Sequence, residues 1–384
     1  MVHIVRASIQ GLAGRKGSVS FEVNRHLLAF WGRNGGGKTS VLKIIAAVLG
    51  NSFEGLASAP FDSAEVVLRS EDYDCDICYN ITRTKRAPVG GLKPSREGRV
   101  DSDAGGARAY DVSVKKSPEK GKAWRHAFLP TSRLLPVDVS VVVRTSLGKT
   151  VMESADDHQE QVARMLQEEW STLYARMQSE ARAVQKDALV SILNAVVAGP
   201  SEVGGDASGS DLTSRDAHRM VSNFLKDHGA TKEAMIDYNT FESRFRDDVR
   251  LRSVIGYIAL SDQRLAVAFQ PKVVMEDMLS KMLKGKKVVA TDTGLEVEAE
   301  EGQPLRLSQL SSGELQVLCI VVKAIGARGG VVIIDEPELS LHIDWQRDLL
   351  PMLRKVAPQS QFIVATHSPE LMTCVPEGCD VCLQ

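Results

Sequence analysis

Charge of one sign is scarce in this chain. Its 384 residues carry 47 Lys and Arg against 49 Asp and Glu, a formal net charge of −2, and the isoelectric point lies near 6.5. That balance excludes a generally basic protein that coats nucleic acid, so any contact with a polyanion must be regional. Long apolar runs are absent as well: none approaches the ~18–20 residues needed to cross a bilayer. The opening MVHIVRASIQ has too short an apolar stretch for a secretory signal. A cytoplasmic protein without a membrane partner is expected. Cysteine is sparse, with six residues at 75, 78, 319, 374, 379 and 382. Two C-x-x-C spacings raise the question of zinc, but YDCDICYNI around Cys75 alternates like a strand, which sends residues three apart to opposite faces. CDVCLQ resembles a short final strand, and ordinary reduced thiols are the expectation over a four-cysteine zinc site.

With 43% hydrophobic residues, the chain has enough to bury a proper core. Within HLLAFWGRNGGGKTSVLKIIAAVLG an apolar run leads into Gly32, Arg33, Asn34, Gly35, Gly36, Gly37, Lys38, Thr39 and Ser40, and then into helical apolar spacing at Val41, Ile44, Ile45 and Val48. This is G-x-x-x-x-G-K-[ST] in a strand–loop–helix setting. Glycines let successive backbone N–H groups curl inward around phosphate oxygens, and the following helix adds the positive end of its dipole. Lys38 can then reach the β- and γ-phosphates of a nucleotide, and Thr39 can ligate Mg²⁺. Downstream, GVVIIDEPELSLH opens with four apolar β-branched residues, as a strand buried on both faces should, and delivers Asp335 and Glu336 at its C-terminal end. By position Asp335 is the metal-holding acid and Glu336 the general base. QFIVATHSPEL supplies another buried strand, Phe362 to Ala365, ending in Thr366-His367-Ser368, which makes His367 a candidate γ-phosphate sensor.

Taken in order, these pieces resemble the ATP-binding-cassette ATPases, in particular the soluble branch of RecF, Rad50, the SMC proteins and the OLD-like nucleases. The likeness covers roughly residues 1–60 and 300–384. Leu310-Ser311-Ser312-Gly313-Glu314 resembles the family signature, with Ser312 where many members have Gly, while Glu338 to His342 and Ala365 to Pro369 resemble the D-loop and the switch-histidine segment. The resemblance implies an α/β P-loop NTPase head with an antiparallel β layer and a compact helical insertion. It also implies a homodimer or larger assembly in which Ser311, Ser312, Gly313 and Glu314 of one subunit close over ATP held by the other. The residues themselves fit two readings, since Ser311 with Glu314 three positions on is also an ordinary helix N-cap. AFLPTSRLL, residues 127–135, falls where the family has a glutamine loop but contains no Gln. Arg133 is a candidate polar contact there, or a surface arginine.

Between residues 60 and 125, SAEVVLRSEDYDCDICYNITRT alternates as an antiparallel layer would. Arg83 to Arg125 then holds twelve Lys and Arg against five Asp and Glu, broken by glycines. Such a stretch suits a clamp on DNA or RNA phosphates, or a solvated hairpin. Residues 153–198 lack Pro and Gly and repeat apolar residues from Val162 to Ala195 in steps of about 3.67, a helical pattern. GPSEVGGDASGSD breaks it, and helical sequence returns over 212–285. The expected division is therefore 1–149 for one half of the head, 150–285 for a helical arm, and 286–384 for the other half. OLD-type proteins continue into an acidic Toprim nuclease domain, whereas 17 residues follow His367 here. The resemblance thus points to Toprim-less ATPase subunits of antiphage systems such as Septu, PARIS and certain retrons, acting on a separate effector, a nuclease or a toxin. A RecF-like clamp on DNA is the competing expectation.

Overall fold

In the computed structural model, the described residues are 1–53, 55–56, 59–84, 110–115, 122–131, 155–197, 212–229, 231, 236–299 and 302–383. Arg133, Lys116 and most of the basic stretch between Arg83 and Arg125 lie outside them. The chain divides into two compact units, Met1–Trp170 with Val274–Gln384, and Ser171–Val273.

The first unit begins with β1 (Val2–Gln10) and β2 (Ser18–Glu22), followed by β3 (Leu27–Trp31) and α1 (Lys38–Gly50). Then come β4 (Ser63–Ser70), β5 (Cys75–Arg83), β6 (Tyr110–Lys115) and β7 (His126–Leu129). Helix α2 (Ala155–Val197) leads into the second unit, which contains α3 (Ser214–Asp227) and α4 (Tyr238–Phe245), and α5 (Val249–Met282) leads back. A small antiparallel sheet follows, made of β8 (Lys286–Ala290), β9 (Leu295–Ala299) and β10 (Pro304–Leu305). The chain closes with α6 (Ser312–Gly326), β11 (Val331–Asp335), α7 (Ile343–Val356), β12 (Gln361–Ala365), the short α8 (Pro369–Met372) and β13 (Asp380–Cys382).

Two five-stranded sheets define the first unit. One is antiparallel, in the order β2-β1-β4-β5-β6, and is the alternating layer expected from the sequence. The other is wholly parallel, in the order β13-β3-β12-β11-β7. The unbroken apolar runs of β11 and β12 are buried at every position, as strands covered on both faces must be. Helix α1 buries Val41, Leu42, Ile44, Ile45 and Val48 in one core with residues of both sheets. These positions form one broad buried face, with Thr39, Lys43 and Gly50 partly exposed on the other. The sheets are also joined by an amide: buried Gln361 on β12 donates to the carbonyls of Ile4 and Asn24, each at 2.9 Å, and accepts from the Ile4 N–H at 2.8 Å. In β5, Ile77, Tyr79 and Ile81 face the core; Cys75 falls on their side of the strand and Cys78 on the other, as the alternation predicts.

In the second unit, Ala217 and Val221 of α3, Phe241 of α4 and Ile255 and Ile258 of α5 make a small core. Thr213 and Asp237 cap α3 and α4 through their side chains. The apolar face expected along α2 is the buried one, including Val162, Leu166, Trp170, Met177, Ala181, Ala188 and Ala195. No described helix is long and apolar enough to cross a membrane.

Candidate active site

All strands of the parallel sheet point the same way, so their C-terminal ends deliver side chains to one edge. Trp31 ends β3 and hands the chain to the glycine loop 32–37, which opens directly into α1. Gly32, Gly35 and Gly37 take φ of 135°, 78° and 92°, the left-handed region that lets the loop curl. Gly32 is required sterically too, because a Cβ there would stand 2.1 Å from the Leu383 carbonyl oxygen. Lys38 is 5% exposed and its Nζ donates to the carbonyls of Gly32 at 2.9 Å and Arg33 at 3.1 Å, so the ammonium lies folded against the loop. Burial draws its pKa below the usual lysine value, while Glu336, Asp335 and Glu338 pull it back up. Arg33, Asn34, Gly36 and Ser40 fall within the same loop and first helical turn.

Asp335, the last residue of β11, is buried and accepts at Oδ2 from the hydroxyls of Thr39 and Thr131, each at 2.8 Å. Hydroxyl and carboxylate oxygens held this close form the hard-oxygen set that suits Mg²⁺, so the donor chemistry fits that ion. Thr131 comes from the segment after β7 in which no polar partner was assigned from sequence apart from Arg133; its contact depends on β7 pairing beside β11. Glu336 has φ of 49°, an uncommon value for a residue with a side chain, and its N–H donates to the Ala365 carbonyl at 2.8 Å. His367 follows β12, and its Nε2 lies 3.6 Å from Glu336 Oε1. The structure thus gathers Lys38, Thr39, Asp335, Glu336 and His367 at one sheet edge. Arg15 was not singled out from sequence, yet its guanidinium reaches the Gly35 carbonyl at 3.4 Å. Only the docking of the turn after β1 beneath the loop, with Leu12 against Gly37, could have revealed it.

The Ser311–Glu314 segment makes its contacts elsewhere. Ser311 caps α6, accepting from the Glu314 N–H at 3.4 Å, while Glu314 accepts from the Ser311 N–H at 2.8 Å. Glu314 also receives Lys286 Nζ at 2.7 and 2.8 Å. Burial pushes the Glu314 carboxyl upward, but the bonds from Lys286 and Ser311 outweigh it and leave the pKa below the ordinary value. Gly313 is buried, and a Cβ on it would meet the Ser340 carbonyl oxygen at 2.4 Å. Ser311 and Ser312 remain exposed at the helix start, so these two residues are what this segment offers to solvent.

Comparison with known proteins gives a family described as "AAA domain, putative AbiEii toxin, Type IV TA system", whose model matches residues 198–373. The matched span includes Asp335, Glu336 and His367 but not the glycine loop. Among curated proteins, the chain is 37% identical over 81 residues to the Retron Ec83 probable ATPase of Escherichia coli, covering 17% of this chain and 15% of that protein. It is 46% identical over 46 residues to the Retron Vc95 probable ATPase of Vibrio cholerae, covering 12% and 9%, and 37% identical over 43 residues to Septu protein PtuA of Bacillus thuringiensis, covering 11% of each. The aligned segments are thus a small part of each relative's length. Among solved structures, the Smc head domain of Pyrococcus furiosus bound to the C-terminal domain of ScpA aligns at a TM-score of 0.45 and 14% identity, over 97% of this chain and 92% of that one. The SMC head of Thermotoga maritima aligns at 0.43 and 10% identity, over 97% and 92%. The likeness to retron ATPases and to a Septu protein, expected from the family resemblance, is therefore present in the comparisons.

Proposed function

We propose that this chain, a P-loop protein similar to retron and Septu ATPases, is an ATP-hydrolysing switch that dimerises around nucleotide and controls a separate effector, a nuclease or toxin, in antiphage defence. The observation that carries the reading is the convergence of Lys38, Thr39, Asp335, Glu336 and His367 at the C-terminal edge of one parallel sheet. The loop N–H groups and Lys38 bind the phosphates, and Arg15 lies against the same loop. Thr39 and Asp335 would hold Mg²⁺, which when bound neutralises charge developing on the phosphates. Glu336 orients and deprotonates the attacking water, and His367, within 3.6 Å of that carboxylate, senses the γ-phosphate. Ser311, Ser312, Gly313 and Glu314 then serve the nucleotide of a second copy. The exposed serines supply the contact, while Gly313 and Glu314 fix the helix start that presents it. The effector assignment rests on the retron and Septu likeness.

Turnover assays test the catalytic half. Glu336→Gln should bind ATP like the unmodified chain and hydrolyse it about 10²–10⁴-fold more slowly, the usual worth of a positioned general base. Undiminished turnover in that variant sinks the assignment of the base. A clamp on nucleic acid is the second reading, favoured by the twelve basic residues between Arg83 and Arg125. It requires duplex binding whose affinity falls steeply with salt.

A further inference from the structure

The turn after β11 is held more firmly than a surface connection needs to be. Running from 336 to 342, it contains two left-handed residues with side chains, Glu336 at φ 49° and Ser340 at φ 62°. Three carbonyls within it are taken by side-chain amides from other elements. Buried Gln316 of α6 donates to the Pro337 carbonyl at 3.2 Å, and Gln346 of α7 donates to those of Glu338 at 3.4 Å and Leu341 at 3.0 Å. The Gln346 side-chain oxygen in turn accepts from Ser368 Oγ at 2.6 Å, and Ser368 caps α8 by accepting from the Leu371 N–H at 3.2 Å. Glu338 completes the circuit: its Oε1 accepts the backbone N–H of His367 at 2.5 Å, and its other carboxylate oxygen is buried with no hydrogen-bond partner among the described residues. Two acids two positions apart thus do different things. Glu336 faces the His367 imidazole, and Glu338 grips the His367 backbone.

Resting on the ATPase reading above, we infer that Glu338 is a positioning residue for His367, with Gln346 as its brace, so that the separation between imidazole and Glu336 is set by the β11–α7 turn. A strand end alone does not fix a side chain. After Ala365 the chain leaves the sheet: the His367 N–H goes to Glu338, while Ser368 is held by Gln346, by its own N–H to the Thr366 hydroxyl at 2.9 Å, and by the N–H groups of Leu371 and Met372 at 3.2 Å each. Removing the Glu338 acceptor frees the His367 N–H and lets the imidazole drift from Glu336. Loss of an ångström of alignment at a reacting centre costs on the order of 10²-fold in rate. What the geometry asks of Glu338 is one acceptor oxygen; it does not ask for a proton or a negative charge.

A pair of variants separates these roles. Glu338→Ala should lower kcat about 10–100-fold with ATP affinity unchanged, and Glu338→Gln, which keeps an acceptor oxygen, should recover most of the rate. Equal loss in both variants overturns the inference, because it shows that the charge itself is used. Wild-type kcat in Glu338→Ala overturns it as well. An independent readout uses protein labelled with ¹⁵N-histidine, which gives eight backbone signals, one per histidine. The His367 amide proton, assigned by its loss in His367→Gln, should resonate far downfield in the unmodified chain and in Glu338→Gln, and shift upfield in Glu338→Ala. An amide signal insensitive to Glu338→Ala refutes the contact whether or not the protein turns over ATP. Absence of turnover in the unmodified chain with the amide shift intact would instead refute the ATPase reading and leave the contact standing.

Discussion

Individual side chains in this protein carry more than one duty, and Glu314 shows the consequence. It closes the capping box of α6 and pairs with Lys286 at the start of β8, with 12% of its side chain exposed. Because its folded pKa lies below the ordinary carboxylate value, its contribution to stability is present above that ordinary value and is lost as pH falls through the depressed folded one. Glu314→Gln should therefore destabilise the protein by about 1–3 kcal/mol at neutral pH. The gap between variant and parent in urea unfolding should close on acidification, and a constant gap down to strongly acidic pH would contradict the pairing. At this scale motif spacing was enough to single out Lys38, Thr39, Asp335 and Glu336, which the fold brings to one sheet edge and whose roles are proposals. Arg15, Thr131 and Gln346 carried no such signal, because each acquires its contact only when a distant strand or turn docks beside the loop or the sheet edge.

Elements were legible where one period dominated. The alternation of β4 and β5, the unbroken apolar runs of β11 and β12, and the long helical repeat of α2 each announced their burial, because two covered faces, one covered face and a helical stripe leave different patterns. How the two large sheets are joined was not legible, since Gln361 reads as a polar residue before a strand. In the fold it is fully buried and answers both backbone groups of Ile4 as well as the Asn24 carbonyl. Replacing it by Leu keeps the volume and strands those groups. Gln361→Leu should cost about 2–4 kcal/mol, measured as a shift of the denaturant midpoint at constant slope. A neutral result would mean that the sheets are held by apolar packing alone. Gly32 is the corresponding element-level constraint on the glycine loop. Its positive φ and the Leu383 carbonyl beside it leave no space for a side chain, so β13 and the loop are fitted to one another.

At the scale of the whole molecule, the parallel sheet gathers Lys38, Thr39, Asp335, Glu336 and His367 on one edge, while Ser311 and Ser312 sit exposed at the start of a helix whose contacts run to Lys286, Ser340 and Trp345. Among the described residues the Ser311–Glu314 segment has no bond to its own glycine loop, which makes sense if it meets the loop of a second copy, the core of the proposed switch. The effector invoked in the proposal was not legible from any residue. It enters only through likeness to retron and Septu ATPases over short spans. The most direct test is the mass of the Glu336→Gln protein by light scattering on a sizing column, with MgATP and without nucleotide. The account predicts twice the 41.8 kDa of one chain with MgATP, and a single-chain mass when Ser312→Arg is added, with ATP still bound. A mass that does not respond to ATP, or a dimer indifferent to Ser312→Arg, would contradict it.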